Sequence, residues 1–334
     1  MTKIGIPRAL LYYQYYPMWK TFFQELGAEV VVSPPTTQTM LETGSSRVVA
    51  DTCLPVKIFL GHVLSLVKQC DYIFIPSIRS IKPRAYNCAK FLGLPDMTKA
   101  VIPESPPILE IDIDVNKGKY KLYKSIYRLG GYLSWNPLKV RNAAVAAWQR
   151  HMDYRDLMFT QGLTAPRAIE KLYSLQLDKK QTSQNSQSQN QITIALVGHP
   201  YIIYGEYINH RLIPRLEQAN CRVLTPEGIT PEKLESATNK LVGRAYWTYE
   251  EEVVGAGGHY LESNVDGVIG VMTFGCGPDS VMMEMVRRHA LKLRSTPFMS
   301  LTIEEHTAVA GIITRLEAFL DMISRRKRGV KTCA

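Results

Sequence analysis

Short runs of branched apolar residues alternate along the chain with longer segments of mixed apolar and polar character, the pattern of strands interleaved with amphipathic helices. The opening "TKIGIPRALLYYQYYPMWKTFFQELGAEVVVSP" predicts a strand, a proline-containing turn, a tyrosine-rich helix and, after Gly27, a second strand. The later "ITIALVGHPYIIYGEYINHRLIPRLEQANCRVLTPE" repeats that order. Further strands are predicted over 72–76, 265–274 and 297–303, with helices over about 56–69, 279–293 and 306–325. Two β-α-β openings predict an α/β protein of two similar doubly wound (Rossmann/flavodoxin-like) domains, with chemistry expected where the turns leave the carboxyl ends of strands. The expected divisions are a first α/β domain over 1–118, a helical region over 119–177, a flexible polar linker over 178–191 and a second α/β domain over 192–334. The linker rests on "QTSQNSQSQNQ", which has nothing to bury.

Composition narrows the setting. At 334 residues the chain can bury a full core and accommodate two domains. No apolar run approaches the roughly 18–20 residues needed to cross a bilayer, and "MTKIGIPRALL" lacks the pattern of a signal peptide, so no membrane association and a cytoplasmic location are expected. The formal net charge is +10, but basic residues are scattered among acidic ones except in "RRKRGVK" at 325–331. That run reads as a solvated helix end and tail, and nucleic acid is not an expected partner.

The candidate chemistry lies in the cysteines. Six are present, at 53, 70, 88, 221, 276 and 333, without a C-x-x-C pair. Cys276, in "TFGCGPDS", follows a predicted buried strand and precedes a helix, with Gly275 and Gly277 removing bulk around it and Asp279 placed to cap that helix. A thiol beside a helix N-terminus is stabilised as thiolate, the form that ligates metal or attacks an electrophile. Cys53, in "ADTCLPVKIFLGHV", has a similar setting, and Cys88, in "RAYNCAKFLGLPD", follows the strand "YIFIP". Cys70 ends a helix and Cys221 enters a strand, and both read as structural, whereas Cys333 falls in the tail. Three thiolates suit a 4Fe–4S cluster with one iron left open, zinc with a histidine or water as fourth ligand, or a catalytic cysteine with His306 as base. His306 falls at a predicted strand-to-helix junction, with Thr302 and Glu305 at capping-box spacing. His199 occupies the first turn of the second domain, where it would meet a cofactor's surroundings or a substrate, and His62 reads as packed on its helix.

Together, "GIPRALLYY" with "PMWKTFFQELG", "DTCLPVKIFLGHV", "NCAKFLGLPD", "VGHPYIIY", "FGCGPDS" and "EEHTAVAGIITRLEAFLDM" resemble the 2-hydroxyacyl-CoA dehydratase superfamily. Within it the chain is similar to an activase-related branch and to the iron–sulfur component of 2-hydroxyglutaryl-CoA dehydratase, and more distantly to the double-cubane cluster proteins. The likeness runs from Ile4 to Met322, apart from the helical middle and the linker. Asp51, Ala89 and Glu305 depart from the usual glutamate, proline and aspartate of the pattern, and none of these changes removes a thiolate.

The resemblance implies one 4Fe–4S cluster held by Cys53, Cys88 and Cys276 at a cleft between the domains. It implies a low-potential electron-transfer role, or a reductase or dehydratase component that receives electrons from an ATP-dependent activase. A noncatalytic cluster carrier or assembly protein is the alternative. A related second subunit or a homodimer, and an acyl-CoA or other small-molecule substrate, are the further partners implied. A cubane with three thiolates is net negative and needs nearby cations or N–H donors to be reduced. Lys57, Arg79, Lys82, Arg84 and Lys90 are the candidates, with Arg84 and Lys90 preferred because they bracket Cys88, and His306 and His199 are the candidate acid–base groups.

Overall fold

The computed structural model describes residues 1–174 and 191–332. Most of the polar linker, and Cys333, therefore lie outside the described residues. The chain divides into two compact units, Met1–Gln161 with Ala245–Tyr249, and Gly162–Arg244 with Glu250–Ala334. Residues 119–161, expected as a helical region between domains, count with the first unit, as does the short return segment 245–249.

The first unit runs β1 (Lys3–Ile6), α1 (Tyr12–Glu25), β2 (Glu29–Val32), α2 (Gln38–Ser45), α3 (Leu54–Leu66), β3 (Tyr72–Phe74), β4 (Ser77–Ser80), α4 (Ala89–Leu92), α5 (Leu94–Val101), β5 (Ile108–Leu109), β6 (Asp112–Asp114), α6 (Lys119–Gly131) and α7 (Pro137–Gln161). Its main sheet has the order β2-β1-β3-β5, with every pair parallel. A separate parallel pair, β4 with β6, was not predicted from the sequence, because each strand is only three or four residues long and carries polar positions. Strand β1 is short but fully apolar after Lys3, and Phe22, Phe23, Leu60, Ile73 and Phe74 are buried in the core. Each such side chain contributes roughly 1.5–3 kcal/mol on burial. Helices α2 and α3 cross at a mutual glycine contact: a Cβ on Gly44 would meet the Lys57 carbonyl, and one on Gly61 the Met40 carbonyl.

The second unit runs α8 (Ala165–Ser174), β7 (Ile192–Val197), α9 (Pro200–Ile203), α10 (Leu212–Gln218), β8 (Cys221–Leu224), α11 (Pro231–Val242), α12 (Thr248–Leu261, its first two residues counted with the first unit), β9 (Gly267–Thr273), α13 (Gly277–Leu293), β10 (Phe298–Ile303) and α14 (Val309–Thr332). Its sheet has the order β8-β7-β9-β10, again entirely parallel. Numbered within each four-stranded sheet, both read second, first, third, fourth, so the molecule is an α/β protein built from two flavodoxin-like sheets flanked by helices. In such a sheet the crevice for ligands opens at the carboxyl ends of the first and third strands, where the direction of winding reverses.

Two local expectations are corrected. The final helix begins at Val309 instead of 306, and the capping box between Thr302 and Glu305 does not form. Thr302 still belongs to β10, whose pairing with β9 extends to Ile303, and the turn is closed by the Glu304 N–H donating to Thr307 Oγ1 at 2.8 Å. Asp279 does not cap α13: that position belongs to Cys276, and Asp279 is the third residue of the helix, within its first turn and fully buried.

Candidate functional site

Each of the three singled-out cysteines is the N-cap residue of a helix: Cys53 of α3, Cys88 of α4 and Cys276 of α13. None uses its side chain to cap that helix. Proline at the first or second helical position starts both α3 and α13, since the ring fixes φ and the absent N–H would have had no intrahelical acceptor. All three residues are partly buried, and no disulfide joins the five described cysteines. The other two differ in surroundings. The Cys70 thiol donates to the Leu66 carbonyl at 3.5 Å and packs against Gly5 of β1, and burial pushes its pKa up. The Cys221 thiol donates to the Ala219 carbonyl at 3.7 Å, and burial pushes it up to about 11. A thiol that resists ionisation is a poor ligand.

The backbone around each of the three is fixed by different means. The Val56 and Lys57 N–H groups both donate to the Cys53 carbonyl, closing the first turn of α3. Before Cys88, the Asn87 N–H donates to the Arg79 carbonyl, while Tyr86 exchanges backbone bonds with Tyr246 and Thr248 of the return segment. Before Cys276, Gly275 has φ +79°, a conformation in which an L side chain is strained, and the Ser280 N–H donates to the Cys276 carbonyl. Gly277, by contrast, has open space where a Cβ would stand.

Among the predicted cations, Lys57 is buried on the first turn of α3 after Cys53, whereas Arg84 and Lys90 are exposed. Arg84 has φ +60°, and its backbone N–H donates to Asn116 Oδ1 at 2.8 Å. Arg79 stands 3.7 Å from Asp114. Proximity to Cys88 in the sequence favoured Arg84 and Lys90; helical periodicity is the signal for Lys57, which follows Cys53 by four residues and so lies on the same helical face.

The histidines separate clearly. His306 lies in the loop before α14 with its side chain 83% exposed and Nε2 3.7 Å from Glu305 Oε1. His62 is fully buried, with Ser33 Oγ 2.8 Å from Nδ1 and Thr36 Oγ1 2.9 Å from Nε2. Burial, reinforced by Arg8, lowers its pKa to about 4. His199, the N-cap residue of α9, is buried at the carboxyl end of β7. Gly198 allows the backbone there to approach β9, because a Cβ would meet the Val271 carbonyl. The His199 ring stacks on Tyr201 at 5.0 Å, and its Nε2 is 3.2 Å from Asp279 Oδ1, within ion-pair distance but not aligned for a hydrogen bond. Burial alone would lower the imidazole pKa, but Asp279, followed by Glu250 and Glu252, turns the net direction upward. Glu250 is buried as well, and burial raises its carboxyl. Asp279 Oδ2, Glu250 Oε2 and Thr273 Oγ1 are buried without hydrogen-bond partners. This imidazole, whose pKa the neighbouring carboxylates raise, lies at the winding reversal of the second sheet. Its place in the first turn after β7 marks His199 in the sequence, whereas Asp279 reads locally as a cap and Glu250 carries no local signal.

The donor chemistry of the three cysteines fits an iron–sulfur cluster or another thiophilic metal: each thiol emerges at a helix start, where backbone N–H groups favour negative charge. Cys53 and Cys88 belong to the first unit and Cys276 to the second. Among the described residues, no three His, Cys, Asp or Glu side chains are grouped as a metal site. No described helix is long and apolar enough to cross a membrane.

No curated protein matches the chain at a significant level. A family model does match, that of the CoA enzyme activase uncharacterised domain (DUF2229), over residues 3–229, which include β1 through β8 and the settings of Cys53, Cys88 and His199. It agrees broadly with the activase- and dehydratase-related character of the sequence motifs, and by its extent the chain belongs to the CoA enzyme activase uncharacterised domain family.

Proposed function

We propose that Cys53, Cys88 and Cys276 ligate one 4Fe–4S cluster and that the chain is a low-potential electron-transfer protein, or a reductase or dehydratase component, reduced by an ATP-dependent activase. The observation that carries this reading is the division of the cysteines: three begin helices and leave capping to the backbone, while two donate to backbone carbonyls and resist ionisation. The family's description as a CoA enzyme activase domain supports an association with that chemistry. When bound, the cluster supplies a one-electron couple and an open iron. The chain's own contribution is charge. Helix N–H groups and the buried Lys57 offset the thiolates, while the buried His199, with Nε2 3.2 Å from Asp279 Oδ1, is biased by the nearby carboxyl groups toward holding a proton. A 2-hydroxyacyl-CoA or related thioester is the substrate class this reading favours, with a related second subunit where turnover needs one.

Anaerobic purification with iron and sulfide quantified beside EPR and Mössbauer spectra tests the proposal. Four irons and four sulfides per chain are expected for one cubane. Cys53→Ser, Cys88→Ser and Cys276→Ser should each lose most of the iron, and Cys70→Ser and Cys221→Ser should retain it, because a hydroxyl is a poor substitute for a soft thiolate. Equal iron in Cys276→Ser and the parent chain would overturn the assignment.

A further inference from the structure

Helix α7 carries two apolar stripes. The inner one comprises Val140, Ala143, Ala147, His151, Tyr154 and Met158, all buried at alternating three- and four-residue intervals. It belongs to the packing of α7 on α1, and Tyr154 Oη donates to the Tyr13 carbonyl at 2.6 Å. The outer stripe recurs at Leu138, Val145, Met152 and Phe159, at a constant interval of seven, with Trp148 three residues after Val145. These side chains are 43% to 65% exposed. A seven-residue apolar repeat is the pattern of a helix that packs lengthwise along another helix. Scattered exposed apolar residues are ordinary, but five large ones in register on one helix form a surface that calls for a cover.

We propose that the outer face of α7 is an interface between two copies of this chain, with α7 of one copy antiparallel to α7 of the other. The stripe is symmetric about the helix midpoint, between Trp148 and Gln149. Leu138 is the counterpart of Phe159, and Val145 of Met152, so a two-fold axis there sets the four heptad residues against one another, with Trp148 beside the axis opposite Gln149. Charge follows the same symmetry. Arg141 and Asp156 are counterparts, are both exposed, and have no ion-pair partner within the chain among the described residues. In the antiparallel pair each Arg141 faces Asp156 of the second copy. A parallel, in-register pair would instead place Arg141 on Arg141 and Arg155 on Arg155, which repel.

The dimensions agree. The stripe is about 32 Å long at 1.5 Å per residue. Trp148 and Phe159, each roughly half exposed, offer on the order of 200 Å² together, and the aliphatic side chains a comparable amount. That is about half of the roughly 800 Å² per partner of a stable interface, with flanking polar residues forming the rim. Trp148, nearest the axis, meets its own copy and is the expected hot spot.

Sedimentation velocity of the full chain over a concentration series, run for the parent and for Cys53→Ser so that cluster loss and dimer loss are separated, tests the proposal. Both proteins should dimerise. Trp148→Glu and Val145→Glu should each raise the dissociation constant by about a hundredfold, with unchanged circular dichroism as evidence of folding. Arg141→Asp and Asp156→Arg should each raise it about tenfold, and the double swap should return it to within a few-fold of the parent. A chain that is monomeric throughout, or a dimer whose constant is unmoved by the glutamate variants, overturns the proposal. A double swap that remains as weak as the single ones overturns the antiparallel register.

Discussion

The two units share a strand order yet handle a buried histidine in opposite ways. In the first, His62 lies between two hydroxyls, Ser33 Oγ and Thr36 Oγ1. A hydroxyl both donates and accepts, so a neutral imidazole satisfies both contacts without an extra proton, and burial holds it neutral. His151, also in the first unit and also buried, is likewise lowered to about 4 by burial and then by Arg155. In the second unit, His199 faces Asp279 and Glu250. Carboxylates only accept, so the imidazole gains by keeping its second proton. The same fold thus presents an uncharged interior near the α3 helix of Cys53 and a charged one at the winding reversal of the unit that carries Cys276. The charged one has the character of a functional site, since it leaves buried carboxylate oxygens without hydrogen-bond partners.

Removing a carboxylate from the second unit should give the largest effect. Asp279→Ala takes away the carboxyl group 3.2 Å from the buried His199 and should cost about 3–5 kcal/mol in urea unfolding at neutral pH. His62→Gln, which retains polar groups able to bond the two hydroxyls, should cost less than half of that. Similar losses for both would mean that the His199 cluster is held together by packing alone, and the distinction between the units would fail.

The pH dependence sharpens the same contrast and has opposite signs in the two units. The folded pKa of His62 is depressed, so between pH 6.5 and about 4 the unfolded chain takes up a proton that the folded unit refuses. Its stabilising contribution is fully present above 6.5 and is lost as the pH falls through that window, on the order of 3 kcal/mol. The folded pKa of His199 is raised, so its contribution is fully present below its unfolded value and is lost as the pH rises through the folded one. Comparing His62→Gln and His199→Gln with the parent isolates each slope from the carboxylates that titrate alongside. The acid-side slope should shrink only in the first variant and the neutral-to-alkaline slope only in the second. NMR of the imidazole carbon protons should find His62 neutral and His199 charged at pH 6.

The doubly wound α/β class and the helix that opens each unit were legible in the sequence, because the β-α-β openings at residues 3 and 192 repeat visibly and the buried strands are nearly continuous in Val, Ile and Leu. The helical starts after Cys53 and Cys276 were legible too, from Pro55 and Pro278, whereas the short helix after Cys88 has no such proline and reads as loop. What could not be read was tertiary. Asp279 at the first turn of a helix has a local explanation as a cap, and only the packing of β7 beside β9 reveals that it faces His199 instead. The capping box at Thr302 failed for a related reason: parallel pairing with β9 holds Thr302 in the strand against its local preference. Arg84 and Lys90 were favoured by chain proximity to Cys88, whereas Lys57 is the one the fold buries.

The smallest expected effect compares the glycines on either side of Cys276, which the sequence alone cannot rank. Gly275 has φ +79°, so Gly275→Ala places a Cβ in a conformation that costs about 1–2 kcal/mol and shifts the turn that presents the thiol. Gly277 has no such φ, a Cβ there meets nothing within 4 Å, and the residue opens α13, so Gly277→Ala should be neutral or stabilise by about 0.4–1 kcal/mol, chiefly through lower entropy of the unfolded chain. The first unit has no counterpart, since neither Cys53 nor Cys88 is flanked by glycine. Thermal unfolding of the two alanine variants, with iron content measured on the same samples, separates backbone strain from bulk. If both variants lose stability and iron equally, bulk beside the sulfur governs this turn; if only Gly275→Ala does, the left-handed backbone places Cys276, and the second glycine is free to vary.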